Sequence, residues 1–193
     1  MKNIHIGFGI VLLLAVIMSG CSGKEKPNDF DWKVNALSAV DQNGNAFATG
    51  NMTGKVWLAD FMFTSCTTVC PPMTYNLTQI QDMLKGKGIQ EVEIVSFSVD
   101  PSVDTPEKLK QFIGKYEADT SSWRLVTGYD QKTIEQFSRD SFKTLVLKTE
   151  DSDQVTHGTS FFLVDQSGTV LTKYDGLEPD HDKIAADVRA LLD

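Results

Sequence analysis

The sequence predicts an α/β fold in which helices cover a partly parallel sheet. Three observations carry that expectation. Val56 to Phe63 is a nearly continuous apolar run broken only by Asp60, as in a strand buried on both faces. Met73, Leu77, Ile80 and Leu84 then recur at helical spacing before a second apolar run, Glu91 to Val99. The chain closes on a strand hairpin followed by a helix with Ile184, Val188 and Leu191 on its inner face.

The remaining elements follow from local chemistry. Val34–Val40 and Asn45–Ala48 flank Asp41-Gln42-Asn43-Gly44, and Asn-Gly predicts a two-residue hairpin turn. Gly86 to Gly88 ends the first helix. Thr105 as cap and Pro106 at the first helical position start the second helix, which runs through Leu109, Phe112, Ile113 and Tyr116. Trp123–Thr127 reads as a short strand, 130–142 as a helix and Thr144–Lys148 as extended chain. Ser160–Asp165 and Val170–Asp175 form the closing hairpin around Gln166-Ser167-Gly168, and Glu178–Leu192 is the last helix. Strand, cysteine motif, helix, strand, helix, hairpin and helix is the thioredoxin-like order, here with an N-terminal hairpin and insertions. The first crossover is expected to be parallel and right-handed. That puts the cysteines at the carboxyl end of a central strand, where open α/β sheets place their ligand sites.

The ends and the composition bound the setting. Residues 1–20 carry Lys2, an apolar stretch from Ile6 to Met18, and the small pair Ser19-Gly20 before Cys21. This reads as a secretory signal, and its small-small-Cys ending resembles a bacterial lipoprotein box in which Cys21 takes the lipid. The apolar stretch is shorter than the roughly 20 residues a span needs. The polar segment 21–31 reads as a tether, and 32–193 as one domain with no internal repeat. The expected location is the outer face of the bacterial cytoplasmic membrane. The leader has one Lys and no acid, so its removal takes the net charge from −8 to −9. That balance argues against a nucleic-acid partner.

With Cys21 assigned to lipid, Cys66 and Cys70 remain as an isolated pair among three cysteines. Such a pair serves a reversible disulfide, a soft-metal site, or both. A purely structural disulfide gains little here, because its small loop removes little chain entropy. Pro71 disfavours helical geometry at Cys70, so the pair is placed in a loop tightening into the helix. The helix start favours thiolate. Of the histidines, His5 lies in the leader and His181 begins the last helix and reads as solvated. His157 lies in a loop just before the closing hairpin, where a thioredoxin layout packs against the cysteines and Thr159 or a neighbour replaces the usual proline. Two thiolates and an imidazole suit copper as Cu(I) or Cu(II). Zinc seeks a fourth ligand, which only Asp or water could supply.

Gly54-Lys55 through Cys70-Pro71, with Phe63-Thr64 ahead of the CxxxC, resembles the Sco (SenC/PrrC) family. So do Phe97-Ser98-Val99-Asp100-Pro101 with Asp104-Thr105-Pro106, and His157 ahead of Phe162-Leu163-Val164-Asp165-Gln166-Ser167-Gly168. The resemblance spans about residues 32 to 193. It implies a membrane-anchored, thioredoxin-fold copper-binding protein that assembles the copper A centre of cytochrome c oxidase, with Cys66, Cys70 and His157 as ligands. Subunit II of the oxidase is the implied acceptor. Many members have Pro after the first cysteine; Thr67 here alters loop stiffness and leaves the ligands intact. The competing functions are a thiol–disulfide reductant of the acceptor, with Cys66 attacking and Cys70 resolving, and a redox or copper sensor. Asp100 either lies near the site, where its carboxylate tunes the ligands or meets a partner, or bonds its own turn. Asp60, inside an apolar strand, has to be paired or protonated.

Overall fold

The computed structural model describes residues 25–149 and 152–193. The leader and Cys21 lie outside the described residues. Among the described residues, ten strands form two sheets. The eight-stranded sheet comprises β1 (Trp32–Lys33), β2 (Ser38–Asp41), β3 (Ala46–Ala48), β4 (Val56–Met62), β5 (Val92–Ser98), β6 (Trp123–Thr127), β9 (Ser160–Val164) and β10 (Thr169–Asp175). Their order across the sheet is β1-β10-β9-β4-β5-β6-β2-β3. The small sheet pairs β7 (Val146–Lys148) with β8 (Val155–His157). The helices are α1 (Cys70–Gly86), α2 (Pro106–Ile113), α3 (Gln131–Phe142) and α4 (His181–Leu192). Among the described residues no helix is long and apolar enough to cross a membrane.

β4 is central, and all seven of its residues are buried. It runs parallel to β5 across α1, as the expected crossover requires, and antiparallel to β9. Phe162 of β9 meets Phe61 and Phe142, in a cluster that also holds Trp57, Phe97 and Phe137 beneath α3. Adjacent strand residues point to opposite faces. Phe161 accordingly lies on the other side, where it and Met73 of α1 close on Gly176.

Several boundaries match their predicted chemistry. The Thr105 and Asp130 side chains accept from the Lys108 and Thr133 backbone N–H groups and so cap α2 and α3. Gly88, at φ 76°, ends α1 in a Schellman arrangement, with Ile89 N–H donating to Leu84 and Gly88 N–H to Lys85.

Several details differ from expectation. The first hairpin turns through three residues, because Asp41 pairs with Asn45 and its carboxylate accepts from the Asn43 and Asn45 N–H groups. The freed Gln42 is buried and bridges to the Trp123 carbonyl and the Leu125 N–H of β6. His157 ends a strand, β8, instead of lying in a loop, because Val146–Lys148 supplies a pairing partner. α4 begins at His181, where Asp180 caps it, and His181 is half-buried. Within the segment read as tether, Asp29 accepts from Thr172 and the Phe30 N–H donates to Leu171, both on β10.

Candidate metal centre

The topology brings the distant residues together. β4 ends where the antiparallel β9 begins, so the segment leaving β4 and the residues entering β9 lie at the same end of the sheet's strands. Phe63 to Val69 form the loop leaving β4, and Cys70 is the first residue of α1. The helix thus starts one position earlier than the Pro71 argument implies. The Cys70 N–H is directed to Cys66 Sγ (3.3 Å), a local bond that offsets the proline's bias. Pro71 and Pro72 fall in the first turn, where missing N–H groups cost nothing.

Cys66, Cys70 and His157 place one ligand atom each within 4.8 Å of the others. Cys70 Sγ lies 3.4 Å from His157 Nε2. His157 Nδ1 is 2.9 Å from the Gly158 carbonyl, which can only accept, so Nδ1 carries the proton and Nε2 turns its lone pair toward the sulfurs. Donating the far N–H to a carbonyl is the usual support for a metal-ligating imidazole. The ring stands edge-on to Phe63, with centroids 5.7 Å apart. Both thiols are free and buried. A Cβ at Gly158 would meet Thr144 Oγ1 at 2.4 Å, so a larger residue there would have to displace the Thr144 side chain.

The two cysteines are electrostatically unlike. Burial works against the Cys66 thiolate, but the Cys70 thiol, the Cys70 N–H and Thr68 donate to its sulfur and together bring its pKa down. Cys70 is pushed well up, first by burial and then by Cys66 and Asp60. Burial also holds His157 below the usual imidazole range, against the pull of the Gly158 carbonyl, which keeps the ring neutral and able to bind metal. Two soft sulfurs and one neutral nitrogen form a donor set fitted to copper.

The carboxylates fall into place around this cluster. Asp60 is buried in β4 opposite Ser96, whose hydroxyl donates to it at 2.5 Å and accepts from Trp123 Nε1. Burial raises its pKa to about 7, against the Ser96 hydrogen bond. Asp100, two residues beyond β5, bonds to Lys148 Nζ at 2.5 Å and to Ser102; among the described residues it makes no hydrogen bond to the three ligands. Three contributors lay beyond sequence reasoning. Asp104 accepts from Thr64 and Ser98, Lys148 pairs with Asp100, and Ser96 supports Asp60. Asp104 belongs to the Asp104-Thr105-Pro106 motif, which marks the resemblance but not its hydrogen bonds to Thr64 and Ser98. Lys148 offered no local signal.

The SCO1/SenC family model matches residues 27–193. The SCO1 protein homolog of Bacillus subtilis (strain 168) is 41% identical over 179 residues, 92% of each chain. The crystal structure of a SCO1/SenC family lipoprotein from Bacillus anthracis str. Ames is 47% identical with a TM-score of 0.82, covering 85% of this chain and 97% of that one. BsSco, a member of the Sco family of cytochrome c oxidase assembly proteins in which a disulfide switch has been identified, is 41% identical. Its TM-score is 0.79, with 86% of this chain and 98% of that one covered.

Proposed function

This chain belongs to the SCO1/SenC family, and we propose that it binds one copper ion through Cys66, Cys70 and His157 for assembly of the copper A centre of cytochrome c oxidase. The observation that carries the reading is the convergence of two sulfurs and an imidazole lone pair within 4.8 Å. Copper is the cargo. It passes to subunit II by exchange of protein thiolates for those of the acceptor. Lipid on Cys21 holds the domain at the outer face of the cytoplasmic membrane, a reading supported by the lipoprotein among its relatives.

A second reading rests on the asymmetry between the cysteines. As a reductant, the Cys66 thiolate attacks an acceptor disulfide to give a mixed disulfide and release one acceptor thiolate. Cys70 gives its proton to the released acceptor thiolate and displaces the second acceptor sulfur from Cys66; the acceptor gains two electrons and the Cys66–Cys70 pair is oxidised. His157 separates the two readings, since a dithiol reductant works without it. Anaerobic titration of the reduced domain with Cu(I) and Cu(II), repeated for His157→Ala, tests them. One copper per chain, thiolate-to-Cu(II) absorption and a marked loss of affinity in the variant are expected. Unchanged copper binding in His157→Ala, or unchanged absorption in both Cys66→Ser and Cys70→Ser, would overturn the site.

A further inference from the structure

We propose that Lys148 is a positioning residue for His157, acting through its ion pair with Asp100; the inference rests on the copper-site reading above. His157 stands on a ribbon only three residue pairs long: Val146 with His157, Leu147 with Thr156, and Lys148 with Val155. It belongs to a sheet separate from the main one. A two-stranded ribbon of that length has little stability of its own and takes its position from whatever anchors it. Val146 and Val155 bury their side chains, whereas Leu145 and Leu147 are exposed.

Lys148 supplies two polar anchors. Its backbone N–H donates to Glu135 of α3 at 3.2 Å. Its ammonium reaches Asp100 Oδ1 at 2.5 Å and Ser102 Oγ at 3.3 Å. The Asp100 side chain is 2% exposed and that of Lys148 24%, so the pair is largely shielded and its geometry is specific.

The opposite half of the site hangs from the same loop. Four residues after Asp100, the buried Asp104 accepts from the Thr64 N–H at 3.2 Å and the Thr64 hydroxyl at 2.5 Å, two residues before Cys66. Asp104 also accepts from Ser98. The loop is closed on itself, with the Val103 and Asp104 N–H groups both donating to the Asp100 carbonyl. One short closed segment, 100–104, therefore holds the cysteine loop through Asp104 and the histidine ribbon through Asp100. Among the described residues, its hydrogen bonds to the histidine ribbon all run through Lys148.

The test is a double-mutant cycle on the reduced domain titrated with Cu(II), with nitrogen coupling read by pulsed electron paramagnetic resonance. Lys148→Met should weaken Cu(II) binding roughly tenfold, the low end of what loss of a ligand's support costs. It should also alter the imidazole coupling while leaving the Cys66–Cys70 reduction potential in place. Lys148→Arg should restore both signals. Added to His157→Ala, Lys148→Met should cost nothing further, because its effect passes through the imidazole. Should the single variant fail to fold with Asp100 unpaired, Asp100→Asn with Lys148→Met removes both charges and should show the same altered coupling. Wild-type affinity and coupling in Lys148→Met, or in that double variant, would overturn the inference, as would an additive loss on the His157→Ala background. If His157→Ala itself binds copper normally, the copper site fails and this inference falls with it. The two failures are distinguished by which variant shows them.

Discussion

Replacing Asp60 with asparagine should change how stability depends on pH. In the unfolded chain an Asp loses its proton near 3.8; in the fold Asp60 keeps it until about 7. Between those values the native state holds one more proton than the unfolded state, so raising the pH favours unfolding. The residue's contribution is intact below about pH 3.8 and is lost as the pH climbs through 7. The gap of about three units, at 1.36 kcal/mol each, comes to about 4 kcal/mol. Asp60 is 1% exposed, so solvent screens little of this.

The substituted amide would keep an acceptor for the Ser96 hydroxyl but bring a donor that needs a partner. That cost, about 1–3 kcal/mol, does not depend on pH. The decisive quantity is therefore the difference between two profiles and not either value alone. Urea unfolding of the reduced, copper-free domain, followed by circular dichroism from about pH 4 to pH 8, should show Asp60→Asn gaining about 4 kcal/mol on the parent. Parallel profiles would mean that Asp60 is ionised throughout or solvated in the native state, and the account of a buried protonated carboxyl would be wrong.

Copper should stabilise the fold more than the disulfide does. The ion ties Cys66 and Cys70 to a histidine 87 residues beyond Cys70, whereas the disulfide closes one small loop. At a thousandfold excess over Kd, binding adds about 4 kcal/mol. Thermal unfolding of reduced, oxidised and copper-loaded forms checks this, and an equal rise for oxidised and copper-loaded protein would refute it. Iodoacetamide should alkylate Cys66 well before Cys70 at neutral pH, because the first pKa is lowered and the second raised; mass spectrometry showing equal rates would contradict the asymmetry. Cys21→Ser should abolish lipid labelling and membrane retention, and normal labelling in that variant would remove the lipid assignment.

The cysteine pair was legible because its signal is local: two cysteines with three residues between them, after an apolar strand and before a proline pair, in a chain with one other cysteine. His157 was legible by elimination among three histidines and by its place before the closing hairpin. Its strand was not. Val155-Thr156-His157 is too short to show alternation, and it becomes a strand only through Val146–Lys148. The first turn falls at Asp41 to Gly44 as the sequence predicts, and only its closing by the Asp41–Asn45 pair, held by the Asp41 carboxylate, escapes a local reading. Asp100 was noticed, but its partner was invisible: Lys148 lies 48 residues away with nothing in its neighbourhood to mark it.

Apolar runs, helical spacing, caps and the cysteine spacing determined the order of elements and the donor types on offer, because those preferences act over a few residues. The tertiary structure decided the register that sets Asp60 against Ser96 and the antiparallel entry of β9 beside the end of β4. It also decided the shared loop that binds Thr64 and Lys148. These depend on which distant segments are buried against one another. Burial is also what keeps Asp60 protonated and His157 neutral, whereas the Cys66 thiolate depends on the hydrogen bonds that Cys70 and Thr68 bring to its sulfur against burial.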